Sequence, residues 1–112
     1  MEFRFDHVAQ QVSDVAATAR WFSETIPGCR VLYQDDTWAF LEVAGARLAL
    51  VRQDQHPGHV AWRVGAADLE ELATRLGCEI RQHRDGSRGF YVQTPGGSWV
   101  EIVSYPPDDP FQ

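Results

Sequence analysis

The chain has no lysine, and all ten of its basic residues are arginine. That absence excludes Schiff-base chemistry and lysine general bases. Cysteine is almost as scarce. Cys29 and Cys78 stand far apart with no CxxC spacing, which excludes a metal-type cysteine pair and leaves two small apolar thiols or one disulfide. No apolar run approaches membrane-spanning length, and the opening MEFRFDHV lacks the long apolar region of a secretory signal, so the expected location is the cytoplasm. No basic stripe is present either. With a net charge of −6, nothing here would follow a phosphate backbone, and nucleic acid is excluded as a partner. A length of 112 residues suits one domain with a modest core.

Internal repetition organises what is present. An offset of 52 (59 − 7) lays His59 over His7, each near the start of a strand-like run followed by an Asp-capped amphipathic segment. The same offset lays Phe90 over Trp38, Val92 over Phe40, Gly97 over Gly45 and Glu101 over Ala49. Residues 3–12 alternate as a strand, with Phe3, Phe5, His7 and Ala9 on one face. Ser13-Asp14 then supplies a helix cap, Val15, Ala19, Phe22 and Ile26 recur at helical spacing, and Pro27-Gly28 stops the helix. Short runs at 31–34, 37–43 and 47–53 follow, separated by the hairpin-compatible pairs Asp35-Asp36 and Ala44-Gly45.

The second half repeats the order: HVAWRV, a helix capped by Asp68 and stopped by Gly77, then CEIRQHR, FYVQ and WVEIVSY. The reading is an α+β chain of two βαβββ units, 3–53 and 58–105, forming a curved mixed sheet with a cavity. The acidic, Pro-rich tail 106–112 cannot extend a sheet, and either frays or reaches across a dimer partner.

Glu101 is the residue that core packing explains least. Trp99 and Val103 share its face of the strand, and Val100 and Ile102 take the other, so neither face reads as solvent. A carboxylate there must be neutral, paired or bound to a cation. Arg63, in phase with His59, is one partner; a cation held with His7 and His59 is the other. Two imidazoles and one carboxylate suit a divalent transition metal (Fe, Mn, Ni, Co or Zn) and leave coordination positions open. Tyr91 and Gln93 are in phase on the preceding strand, and Trp38, Phe40, Trp99 and Ala9 supply either pocket walls or core. His56, in a turn, and His83, ending a polar strand, read as solvated.

The duplicated order, with FDHVAQQVSD, GHVAWRV and FYVQTPGGSWVEIVSY, resembles the vicinal oxygen chelate superfamily, which includes glyoxalase I, fosfomycin resistance proteins, methylmalonyl-CoA epimerase, extradiol dioxygenases and bleomycin resistance proteins. The likeness covers nearly the whole chain. It implies that His7, His59 and Glu101 are metal ligands, with Glu101 and Tyr91 catalytic. It implies a metal that chelates adjacent oxygens of a small-molecule substrate and stabilises an oxyanion. Arg63, Trp38, Phe40, Gln93 and Trp99 would bind that substrate, within a homodimer. The glyoxalase and epimerase branches add a ligand where this chain has Ala49. Tyr91 matches an active-site tyrosine of the fosfomycin group, whose threonine, lysine and serine become Ala9, Arg81 and Asp85. His83 stands as the candidate for the extra histidine of the dioxygenases. The bleomycin-type branch implies a different class, a metal-free dimer that sequesters a drug.

Overall fold

A computed structural model describes residues 1–107, and the tail beyond Pro107 lies outside the described residues. The element order is β1(Arg4–Val12), α1(Val15–Thr25), β2(Arg30–Gln34), β3(Trp38–Val43), β4(Ala46–Arg52), β5(His59–Arg63), α2(Ala66–Leu76), β6(Arg81–Gln82), β7(Arg88–Gln93) and β8(Trp99–Ser104). This is βαβββ written twice, an α+β fold with one eight-stranded mixed sheet in the order β2-β3-β4-β1-β5-β8-β7-β6. Residues cluster into two compact units, His7–Val60, and Met1–Asp6 together with the chain from Ala61 onward. The division falls inside β1 and β5, so each of those strands starts in one unit and finishes in the other. Among the described residues no helix is long and apolar enough to cross a membrane.

In the His7–Val60 unit, α1 begins where the Asp14 carboxylate accepts a hydrogen bond from the Ala17 amide at 3.0 Å. Val15 and Ala19 of α1 pack with Ala39, Leu41 and Leu50 of the sheet. Trp38 and Phe40 alternate with Ala39 and Leu41 along β3, so they belong to the sheet face turned away from the helix. The β3–β4 hairpin turns at Ala44-Gly45 with φ of 52° and 79°, the positive pair that a two-residue hairpin turn needs. β1 runs parallel to β4, with Ala9 opposite Ala49.

The other unit packs Leu69, Leu72 and Ala73 of α2 against Val64, Phe90 and Ile102. Gly77 closes α2 in the left-handed conformation. The helix starts earlier than the Asp68 cap expected from sequence. Gly65 is the N-cap and makes no side-chain bond, and Asp68 lies in the first turn, where a negative charge is still favoured. CEIRQHR contributes only the two residues of β6, paired with Arg88 and Gly89 of β7. A Cβ on Gly89 would stand 2.6 Å from the Ile102 carbonyl oxygen, so glycine allows the close approach of β7 and β8 there. Alternation also breaks in β1. Asp6 and His7 are adjacent yet both buried, whereas Phe3 and Phe5 are exposed, and Phe5 lies edge-on to Trp62 with centroids 5.8 Å apart.

Candidate functional site

His7 and His59 are 8% and 7% exposed, and their Nε2 atoms stand 3.3 Å apart. His59 opens β5 directly after the Pro57-Gly58 turn, and its Nδ1 lies 2.8 Å from the Pro57 carbonyl oxygen. A carbonyl only accepts, so Nδ1 carries a proton, which assigns any lone pair of this ring to Nε2. That is the tautomer and the backbone support a metal-ligating histidine requires. Phe40, fully buried, sets its ring at 90° to His7 with centroids 5.9 Å apart, which fixes the imidazole plane. Trp38 leans on Phe40 at 5.5 Å. A recess of about 500 Å³ in this unit is lined by Ser13, Asp14, Gln34, Asp35, Asp36 and Arg52 among others, and no candidate site residue lines it.

In the other unit, Glu101 is 4% exposed and lies opposite Tyr91 in the β7–β8 register. Burial pushes the Tyr91 phenol well above its ordinary range, and the Glu101 charge and the hydrogen bond between the two add to the rise. The second donor is His83, whose Nε2 stands 3.1 Å from Glu101 Oε2. His83 is therefore half-buried against a carboxylate, contrary to its reading as solvated. The signal was faint: one histidine after a polar run, returned to the sheet by the Asp85-Gly86 turn. His56 offers its backbone carbonyl to the Gln11 side chain at 2.5 Å.

Arg63 does not turn to Glu101. Its Nη2 lies 3.3 Å from Asp6 Oδ1, and its guanidinium carbon sits 4.4 Å from the centre of the Tyr105 ring. The Tyr105 hydroxyl donates to Asp6 Oδ2 at 2.6 Å. Burial raises the Tyr105 phenol, with the Asp6 charge and hydrogen bond next and Glu101 and Asp85 contributing more weakly. Arg63 Nε and Nη2 are buried with no hydrogen-bond partner among the described residues. Gln93 and Trp99 face each other across β7 and β8 near the hairpin end, both exposed, and Gln93 donates to the Gly97 carbonyl at 3.0 Å. Sequence reasoning missed Asp6 and Tyr105. The available signal was a carboxylate inside an otherwise alternating strand, which strict period-two reading assigns to solvent.

No family model matches the sequence, and no curated protein matches it. Solved structures do match. A glyoxalase/bleomycin resistance protein/dioxygenase superfamily member from Vibrio splendidus 12B01 superposes with a TM-score of 0.70 at 20% identity, covering 92% of this chain and 99% of that one. The chain has the glyoxalase-type fold. Methylmalonyl-CoA epimerase from Mycobacterium tuberculosis shares it with a TM-score of 0.71 at 19% identity, over 92% of this chain and 88% of that one. The Mn(II)-bound glyoxalase from Novosphingobium aromaticivorans matches with a TM-score of 0.65 at 22% identity over 90% of this chain, which spans only 37% of that protein. Glyoxalase-type neighbours thus include enzymes of more than one reaction type, so reaction must be argued from side chains.

Proposed function

We propose that this chain is a divalent-metal-dependent enzyme of the vicinal oxygen chelate superfamily, with His7, His59 and Glu101 each offering one ligand atom to the metal. The observation that carries the proposal is the buried imidazole pair, with facing Nε2 atoms and His59 held by the Pro57 carbonyl in the ligating tautomer. The donor set fits the group: two imidazole nitrogens and one carboxylate suit Fe, Mn, Ni, Co or Zn and leave positions for substrate. When bound, the metal supplies Lewis acidity to two adjacent oxygens of a small substrate. Tyr91, whose phenol stays protonated beside Glu101, offers a hydrogen bond to negative charge developing on the substrate. His83, with Nε2 3.1 Å from Glu101 Oε2, is a second side chain that orients the carboxylate. The Mn(II)-bound glyoxalase and the epimerase among the structural neighbours support an enzyme.

Metal analysis of untagged protein tests the reading. About one equivalent of a transition metal that is lost in His59→Ala and in Glu101→Gln is the expected result. No metal after incubation with each ion in turn would overturn it in favour of a metal-free sequestering protein. The proposal includes a homodimer, supported by the exposed Phe3, Phe5 and Trp62 side chains. Light scattering that returns a monomer mass would remove that part.

A further inference from the structure

The segment between β4 and β5 leads directly into His59, and it lies outside helix and strand. Residues 53–55 form a turn and residues 56–58 are irregular, yet the next residue is a histidine buried at 7% exposure. β1 holds this segment at two points. A Cβ on Gly58 would stand 3.4 Å from the Ala9 carbonyl oxygen, so the chain passes close to the β1 backbone there. Two residues further along β1, the Gln11 side-chain amide donates to the His56 carbonyl at 2.5 Å and reaches the Gln53 carbonyl at 3.5 Å. His7, Ala9 and Gln11 alternate along β1 and share one face. The strand that carries one imidazole therefore also grips the approach to the other.

That grip passes to the ring through few soft torsions. Peptide planes are rigid, and the pyrrolidine ring fixes φ of residue 57 at about −65°. Once the His56 carbonyl is pinned, only ψ of Pro57 is free to turn the Pro57 carbonyl. That carbonyl accepts from His59 Nδ1 at 2.8 Å, and the ring's other nitrogen, Nε2, stands 3.3 Å from Nε2 of His7. Glutamine suits the task, because its amide nitrogen carries two donors and can serve two carbonyls at once.

We infer that Gln11 is a positioning residue, whose amide pins the His56 carbonyl so that the Pro57 carbonyl holds His59 with Nε2 turned to His7. Its effect on metal rests on the proposed centre of His7, His59 and Glu101. Its effect on the ring does not.

Two substitutions separate the donor from the stem. Q11M keeps the length and removes the donor, whereas Q11K keeps a donor. Gln11 is exposed, so neither change disturbs a core, and the metal-free melting temperature should stay close to the parent's in both. Proton–nitrogen correlation spectra of the metal-free full chain at pH 8 read the His59 tautomer. Titration with Mn(II), followed by the electron paramagnetic resonance of the free ion, reads the affinity. The parent and Q11K should keep the His59 proton on Nδ1, and Q11M should show a mixture of both tautomers. The Mn(II) dissociation constant should rise at least about tenfold in Q11M, with Q11K closer to the parent. A parent ring without the Nδ1 proton, an unchanged tautomer in Q11M, or equal disturbance in Q11M and Q11K would each overturn the inference. A tautomer that depends on Gln11 in a parent that binds no Mn(II) would support the positioning and sink the metal centre. Mn(II) bound equally by the parent and Q11M, with one tautomer in both, would do the reverse.

Discussion

Raising the pH from 10 to 11 should remove about 2 kcal/mol of folding stability through two buried phenols, Tyr91 and Tyr105. Both are raised from 10.0, first by burial and then by the carboxylates beside them, Glu101 for Tyr91 and Asp6 for Tyr105, so the folded chain keeps both protons across this range. The unfolded chain does not, because an exposed phenol is half ionised at pH 10 and about nine-tenths ionised at pH 11. Protons therefore leave on unfolding. The stabilisation is fully present below pH 10 and falls as the pH rises above it, by about 1 kcal/mol per tyrosine over this interval. The composition keeps the background low, since the chain has no lysine, arginine stays charged, and only Tyr33 remains as a third phenol. In Tyr105→Phe the alkaline loss should halve to about 1 kcal/mol. That variant should also be less stable at pH 8 by roughly 1.5–3 kcal/mol, because Asp6 loses a 2.6 Å charge-assisted bond inside the fold. Urea unfolding at pH 8, 10 and 11 measures both effects, and absorbance at 295 nm follows the phenolates. An alkaline loss as large in Tyr105→Phe as in the parent would refute the reasoning.

Gly89→Ala should destabilise the fold by about 1–3 kcal/mol in thermal or urea unfolding, because its Cβ meets backbone at 2.6 Å, where no side chain can yield. Asp14→Ala removes the acceptor for the Ala17 amide and should lower stability by about 1 kcal/mol, with the loss read in the helical circular dichroism transition. Burial opposes ionisation of Asp35, but hydrogen bonds from the Tyr33 hydroxyl, the Thr37 amide and hydroxyl, and the Trp38 amide outweigh it and hold the carboxyl well below the usual range. A lowered pKa gives stability that is present above the unfolded value and lost as the pH falls below it. Asp35→Asn should thus lower the melting temperature at pH 7, and the gap to the parent should narrow on acidification below pH 4.

Local signals made much of the fold legible. Asp14 with apolar residues at helical spacing located α1, and Gly77 located the end of α2, because caps and stops are written in a few adjacent residues. Glu101 could be read as buried from its apolar neighbours on both faces, and it is. What sequence could not supply were pairings decided by tertiary contact. Asp68 could be a cap or a first-turn acid, and the choice of Gly65 rests on where the chain leaves β5. His83 reaches Glu101 across 18 residues and Tyr105 reaches Asp6 across 99, so no window of local pattern contains either pair. From sequence Arg63 reads as a partner of Glu101 or of substrate, because strand alternation does not mark Asp6 as buried.

Strand register also corrects the internal alignment. A single offset of 52 places Val92 over Phe40, yet Phe40 lies opposite Ala49 in the first hairpin, whereas Tyr91, not Val92, lies opposite Glu101 in the second. Opposed residues in an antiparallel pair share a face, so Tyr91 is the counterpart of Phe40 once Glu101 is matched to Ala49. The spacing between opposed partners is 10 (101 − 91) in one hairpin and 9 (49 − 40) in the other, and the longer turn after Gln93 absorbs the extra residue. One pair of corresponding positions thus carries two chemistries. Phe40 and Ala49 give an apolar wall that meets the His7 imidazole by ring contact, and Ala49 carries no polar side-chain atom. Tyr91 and Glu101 put a carboxylate and a proton-bearing hydroxyl at the equivalent points. The difference between the two units, rather than either unit alone, supplies both an apolar wall and a polar pair. A chain with two faithful repeats would have two walls or two carboxylates.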